Sequence, residues 1–457
     1  RQHMTIDMTE GKPLHLLLKF SLPIMAGNLF QQLYNVIDTA IVGKFVGANA
    51  LAAVGTTGNI TFFFTTWIIG LYNGAGIIMA QYWGSRKHRD FMEVAASMIS
   101  ITAVLSAAIA LIGFFLAPFL LHLIQVPENL MQMSLTYMRI CLCFSIFSAI
   151  YNGCSVILRS VGDSRTPFTA MVAASIINIA LDLVFVVCFN MGVAGVAIAT
   201  VLSQLGSASV CLFHIFRHKE ELHLNGILQV NSTSKLLPIC RIGIPTALQS
   251  CMISVGGMSV QGLVNSYGTD VMAAYTTAQR IDSVTIQVVV AFGSALSVFT
   301  GHNIGKQDFT RIRQGLRATL KLMMGASIAL ALIVLLGRYH LLSLFLNPET
   351  DAAAIEYGAE YLSIIGIAYM IAGVMNSYLN VCRGAGDVVT SVSAGLAELS
   401  GRILFAFLLS GPVGLGVFGI WLATPISWGC GCLIPVINYY RGTWKRLALT
   451  KSSSQKS

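Results

Sequence analysis

The sequence predicts an all-α polytopic membrane protein, with twelve transmembrane helices in two six-helix bundles related by a parallel internal repeat. Three observations predict it. Of 457 residues, 55% are hydrophobic and only 10% charged, against about 25% charged in an ordinary soluble domain. Twelve apolar stretches are long enough to cross a bilayer, which takes about 20 helical residues. Residues of the first half also recur in the second at a constant displacement.

The spans run over about 16–42, 54–80, 93–118, 132–158, 167–189 and 194–216 in the first half. In the second half they run over about 239–266, 276–300, 317–346, 357–382, 388–410 and 416–440. Runs of this length mean helices, because only helices or closed barrels satisfy the backbone in lipid. The basic residues orient them. Arg86, Lys87, Arg89, Arg159, Arg165, Lys306, Arg311, Arg313 and Arg383 follow even-numbered spans, and Arg441, Lys445 and Lys451 end the chain. The opposite loops hold only Lys44 and Arg338. By the positive-inside rule both termini are cytoplasmic.

Tyr137, Asn152, Arg159, Gly162 and Asp163 recur as Tyr361, Asn376, Arg383, Gly386 and Asp387, all displaced by 224 residues. Pro23 has a counterpart in Pro245. Six spans per half is an even number, so both halves insert the same way round, as in parallel-repeat transporters. The expected division is 1–217 for the N-terminal bundle, 218–237 for a polar cytoplasmic linker, and 238–457 for the C-terminal bundle with its basic tail.

The first span carries an unusual polar load: Pro23, Asn28, Gln31, Gln32, Asn35 and Asp38. Gln31, Asn35 and Asp38 stand at i, i+4 and i+7, on one helix face. A carboxylate in a spanning helix costs at least about 2.5–3.5 kcal/mol, so Asp38 is expected to face a protein interior or a watery cavity. Proline removes one helical hydrogen bond and crowds the preceding turn, which makes Pro23 a candidate hinge. Span 5 presents Asn178 and Asp182 one turn apart. The turn between spans 5 and 6 centres near Met191, with Asp182 nine residues before it and Thr200 nine after. In an antiparallel hairpin those two stand at one depth, roughly 13 Å from the turn. Asp38, Asn178, Asp182 and Thr200 are therefore expected to line one pocket. Two close carboxylates away from bulk water cannot both hold their charge at once, which suits proton exchange. Carboxylate, amide and hydroxyl oxygens equally suit a hard cation such as Na⁺.

Two further acids lie within spans. Glu398 has Arg402 at i+4, a neutralising pair. Asp282 follows Arg280 by two residues near the start of span 8 and reads as paired or interfacial. The ten cysteines lie in or beside apolar segments and read as small hydrophobes without disulfides. The net charge of +9 resides in loops and tails, so no nucleic-acid partner is expected. Gly414-x-Gly416-x-x-Gly419 opens an apolar span and lacks a βαβ setting, so no nucleotide is expected either. Gly70-x-x-x-Gly74 reads as a close helix-packing motif.

Five segments together carry a family resemblance: Pro23 with LYNVIDTAIVG (33–43), AQYWG (80–84), RSVGD (159–163), RGAGD (383–387) and GVAGVAIAT (192–200). Over essentially its whole length the chain resembles the multidrug and toxic compound extrusion (MATE) family of bacterial antiporters, in a DinF-like branch. The resemblance places an ion or proton site on Asp38, Asn178, Asp182 and Thr200. It marks Gln31 and Tyr137 as cavity positions, to which Asn35 and Asn152 are added as candidate substrate-cavity residues. A second-half site would need carboxylates in spans 7 and 10. Span 7 has none, and Glu356 and Glu360 fall at the outer end of span 10.

The expected function is secondary antiport: export of amphipathic, cationic organic compounds in exchange for inward H⁺ or Na⁺. No other cofactor and no enzymatic activity are expected. The expected setting is a monomer in the bacterial cytoplasmic membrane. A flippase for lipid-linked saccharides is the rival, and it would need a strongly basic cavity for pyrophosphate. A non-drug metabolite exporter is the other.

Overall fold

The computed structural model describes residues 6–123 and 126–446, and among them the regular structure is entirely helical. Eleven of the twelve apolar stretches are single helices, and the fourth is a bent pair. The first six are α1 (Pro13–Val46), α2 (Ala48–Gly84), α3 (His88–Leu123), α4 (Glu128–Cys143 and Ser145–Ser160), α5 (Arg165–Cys188) and α6 (Gly192–Arg217). The second six are α7 (Leu236–Asn265), α8 (Thr269–Gly305), α9 (Phe309–Ser343), α10 (Ala352–Gly384), α11 (Val388–Ser410) and α12 (Val417–Arg441). Their length and apolarity suit bilayer crossing. All ten cysteines are free.

One span differs from expectation. The stretch read as continuous over 132–158 is broken at Phe144, where the two pieces of α4 bend by 44°. Phe144 leaves helical geometry at φ −104°, ψ 17°.

The repeated RSVGD and RGAGD segments have a direct structural cause. Gly162 and Gly386 take φ of +91° and +83°, a left-handed turn that favours glycine. The aspartate that follows caps the next helix. Asp163 Oδ1 accepts from the Arg165 and Thr166 amides at 3.0 and 3.1 Å. Asp387 Oδ1 accepts from the Thr390 amide at 3.1 Å, and the Thr390 hydroxyl donates to Asp387 Oδ2 at 2.5 Å. Each motif therefore stops one helix and starts the next.

The chain divides into two compact units whose limits fall inside helices. Unit 1 gathers Ala26–Ala247 with Ile6 and Asp7. Unit 2 gathers Met8–Met25 with the described residues from Leu248 on. The first turns of α1 therefore pack with α8–α12, and the first turns of α7 with α2–α6. Side chains explain the exchange. In unit 2 the Met8 carbonyl accepts from Asn303 Nδ2 at 3.1 Å and Arg311 Nε at 3.3 Å. In unit 1 a Cβ on Gly74 would stand 2.6 Å from Gly243 N, and one on Gly70 2.8 Å from Ala247 Cα. Small residues let the α2 and α7 backbones approach that closely. Pro23 and Pro245 each lie within one helical turn of the residue where their helix passes from one unit to the other.

The segment over 218–237 folds back on unit 1. Leu222 and Leu224 are buried. Lys235 Nζ reaches Asp90 Oδ1 at 2.7 Å and Glu93 Oε2 at 3.5 Å.

Candidate functional site

Helices α1, α4, α5 and α6 bring their polar side chains together inside unit 1. Asp38 on α1 and Asp182 on α5 lie within hydrogen-bond reach of each other. Asn178 stands one turn before Asp182. With its amide nitrogen turned to Asp182, it donates to Oδ2 at 2.9 Å, and its oxygen accepts from the Thr200 backbone amide at 3.3 Å. Asp182 and Asn178 are buried, at 0% and 1% exposure. The Thr200 hydroxyl donates to the Val196 carbonyl at 3.0 Å and also meets the Tyr34 hydroxyl. On α4 the Tyr137 hydroxyl pairs with the Cys141 thiol beside Asp38.

A carboxylate only accepts, so two of them hydrogen-bond to one another only when one carries a proton. Oδ1 of Asp38 and Oδ1 of Asp182 are both buried without a partner. Among the described residues no Lys, Arg or His forms an ion pair with either acid. The site therefore has two acids, no resident cation and two oxygens facing nothing. One turn further along each helix the lining becomes dry: Val42, Val186 and Val196 join Ala50 and Val193 in a buried apolar cluster that seals this end.

On the other side the cluster borders a cavity of about 100 Å³. Tyr137, Cys141 and Thr200 line its near wall, and Thr61, Thr65, Ser145, Ser148 and Gln204 supply further polar groups. That volume holds about three waters at roughly 30 Å³ each, whereas drug-sized pockets run to about 300 Å³ or more. It suits an ion with its water.

The structure thus brings Asp38, Asn178, Asp182, Thr200 and Tyr137 together. Asn152 stands apart from the carboxylates, donating to the Ser148 carbonyl at 2.8 Å on the cavity's rim. Gln31 and Asn35 are exposed on α1. The residue of α1 that joins Asp38 in the cluster is Tyr34, one turn before it. Sequence reasoning missed Tyr34, although its i, i+4 spacing from Asp38 was the available signal.

In unit 2, Glu398 and Arg402 pair at 2.9 Å. Asp282 departs from expectation. Arg280 is exposed, while Asp282 turns inward, beside the Tyr369 hydroxyl, and feels the charge of Arg402.

A helical membrane protein of two repeated halves, with an unpaired acid cluster and a small polar cavity inside one half, defines the class: a carrier. The MatE family model matches residues 23–184 and 245–408, one copy per half, and the chain belongs to that family. It is 32% identical over 445 residues to "Probable multidrug resistance protein YpnP" of Bacillus subtilis (strain 168), covering 97% of this chain and 98% of that one. It is 26% identical to "Probable multidrug resistance protein YoeA" of the same organism, covering 94% of each. Among solved structures it is similar to a MATE in the straight conformation, with TM-score 0.90 and 21% identity over 98% of this chain and 99% of that one.

Proposed function

We propose that this protein is a secondary antiporter that expels amphipathic, cationic organic compounds in exchange for inward H⁺ or Na⁺. The proposed ion site is formed by Asp38, Asn178, Asp182 and Thr200. The observation that carries the reading is the carboxyl pair, Asp182 buried and Asp38 half-buried, which has no resident cation and belongs to a cluster whose Tyr137, Cys141 and Thr200 line a cavity sized for an ion and water. The names of its relatives support the multidrug class of cargo. Gln31, Asn35, Tyr137 and Asn152 are the proposed contacts for cargo. The protein is proposed to work as a monomer in the bacterial cytoplasmic membrane with both termini on the cytoplasmic side.

The site's chemistry follows from its residues. A proton arriving at Asp38 is shared with Asp182, whose second oxygen is held by Asn178. A Na⁺ would instead meet the two free Oδ1 atoms with the Tyr34 and Thr200 hydroxyls. Either cation removes the repulsion between the acids. Such a change drives transport only if the cation binds one conformation more tightly than the other, since equal affinity shifts nothing. Pro23 and Pro245 are the proposed hinges, each beside the point where its helix changes unit. The flippase reading lacks its basic cavity: Arg402 is held by Glu398, and Arg139 lies over the Phe114 ring at 5.7 Å.

The test is transport of a fluorescent organic cation by purified protein in liposomes, with H⁺ and Na⁺ gradients imposed separately. Uphill movement driven by at least one gradient is expected. Movement indifferent to both sinks the antiport reading.

A further inference from the structure

Unit 2 repeats the elements of the unit 1 site with one change of charge. At the common displacement of 224 residues, Tyr137 corresponds to Tyr361, Thr200 to Thr424, Asn178 to Arg402 and Asp182 to Ala406. Where α5 carries an amide, α11 carries a guanidinium. Arg402 Nη2 donates to Glu398 Oε1 at 2.9 Å, and the two side chains are only 14% and 8% exposed. The Trp428 indole also donates to Glu398. A second carboxyl, Asp282 on α8, lies beside the Tyr369 hydroxyl and within the field of the same guanidinium. Its Oδ1 is buried without a partner, as is Arg402 Nε. Around them the rings are packed dry. Tyr275 stacks on Trp421 at 5.8 Å, and Tyr361 meets Trp421 edge-on at 5.1 Å. All three are at most 5% exposed.

Both units therefore set two acids among tyrosines, one buried (Asp182, Glu398) and one half-buried (Asp38, Asp282). Unit 1 supplies no cation for its pair, whereas unit 2 supplies one covalently. We propose that Arg402 is a built-in cation. It occupies in unit 2 the place that a mobile cation takes in unit 1, and it holds closed a latent cation site between Asp282 and Glu398. This rests on the reading of Asp38–Asp182 as the coupling site. The physical reason is the cost of buried charge. Carboxylates taken out of water must be neutralised by a partner or a proton. A guanidinium keeps its proton at all working pH values, and being tethered it cannot dissociate into either compartment. A site filled this way contributes no ion to the transport cycle, so coupling runs through unit 1 alone.

The experiment counts cations on the full chain in lipid nanodiscs. ²²Na⁺ binding is measured at about pH 8, and proton uptake is measured with an indicator dye between about pH 9 and 5, where a shifted carboxyl titrates. Arg402→Asn is expected to take up one more cation per protein than wild type, as Na⁺ or as H⁺. Arg402→Lys is expected to keep the wild-type count. Adding Asp282→Asn to Arg402→Asn should remove the gain, whereas Asp282→Asn alone should leave the wild-type count unchanged. A folded, monodisperse Arg402→Asn protein with no gain overturns the proposal. Should that variant fail to fold, the Asp38→Asn/Asp182→Asn protein decides, because it retains Arg402. It is expected to bind no ²²Na⁺ and to lose the proton uptake of the unit 1 site. A cation site that survives there and disappears on adding Asp282→Asn overturns the proposal as well. Failure of the unit 1 reading has a separate signature: Asp38→Asn/Asp182→Asn would then leave the wild-type count unchanged, whatever Arg402→Asn does.

Discussion

Replacing Asp38 with asparagine is expected to abolish coupling while leaving a folded protein that still binds cargo. The substitution keeps the shape of the side chain and removes only its titration. Asp38 lies within hydrogen-bond reach of Asp182, so the new amide can donate to Asp182 as a protonated Asp38 would. The variant therefore resembles a permanently loaded site. The magnitude follows from the charge that the site no longer carries. One charge falling through ~150 mV supplies about 3.5 kcal/mol, at about 2.3 kcal/mol per 100 mV. At 1.4 kcal/mol per tenfold, that sustains a gradient of roughly a few hundred-fold for a neutral substrate exchanged against one cation. Exporting a monovalent cation one-for-one cancels the electrical part, so for cationic cargo a pH gradient must be added. The assay is cargo accumulation in liposomes under both driving forces, with the amount of inserted protein measured by fluorescence-detected size exclusion. Wild type should reach a ratio of order a hundred, and Asp38→Asn about one. An Asp38→Asn protein that accumulates cargo like wild type refutes the reasoning.

Three further outcomes follow from the same geometry. Asn178→Ala removes the 2.9 Å donor to Asp182 and the 3.3 Å acceptor for the Thr200 amide. Leaving a buried acid short of a partner costs about 1–3 kcal/mol, so ion-driven flux should drop about tenfold or more, with little further loss when Asp38→Asn is combined with it. Pro23→Ala restores a backbone donor inside α1 and stiffens the turn beside the unit boundary, so kcat should fall several-fold with KM nearly unchanged. An unchanged kcat would make the proline a static kink. Gly74→Ala places a Cβ 2.6 Å from Gly243 N. Overpacking of this kind costs about 1–3 kcal/mol, which a thermal-shift measurement should register as a lower melting temperature. An unaltered melting temperature would show that the α2–α7 crossing is loose.

The spans were legible because lipid leaves the backbone few choices. Hydropathy therefore located the spanning helices, including both pieces of α4. The break at Phe144 was not legible, since neither proline nor glycine stands there to announce it. The exchange of the first turns of α1 and α7 was also hidden. Apolarity says that Leu17 and Phe20 are buried, not which helices bury them. The RSVGD and RGAGD segments stood out by recurrence, and their cause, a left-handed glycine followed by a capping aspartate, was readable from the residue types alone.

At the site, counting residues on either side of one turn placed Asp182 level with Thr200. In the structure it is Asn178, one turn earlier, whose oxygen meets the Thr200 amide at 3.3 Å. Asp282 was read by its neighbour in sequence, and the helix itself argues against that reading. Residues at i and i+2 point to different sides, so Arg280 and Asp282 do not face each other. Asp282 reaches Tyr369 of α10 and the field of Arg402 of α11, partners about ninety and one hundred twenty positions away. The contrast with unit 1 then becomes a matter of position. Asp38 and Asp182 each stand just before a π-helical stretch, Val42–Val46 and Leu183–Cys188. Such turns have weaker hydrogen-bond geometry than an α-helix and collect at functional sites. No π-helical stretch occurs among the described residues of α8, α10 or α11. On the proposed reading, unit 1 combines acids that take up a cation with helix ends that are easier to rewind. Unit 2 combines a Glu398 held by Arg402 with helices α8, α10 and α11 free of such stretches among the described residues. A charge that can come and go is useful only where the backbone beside it can respond, and on the proposed reading both conditions meet at Asp38 and Asp182.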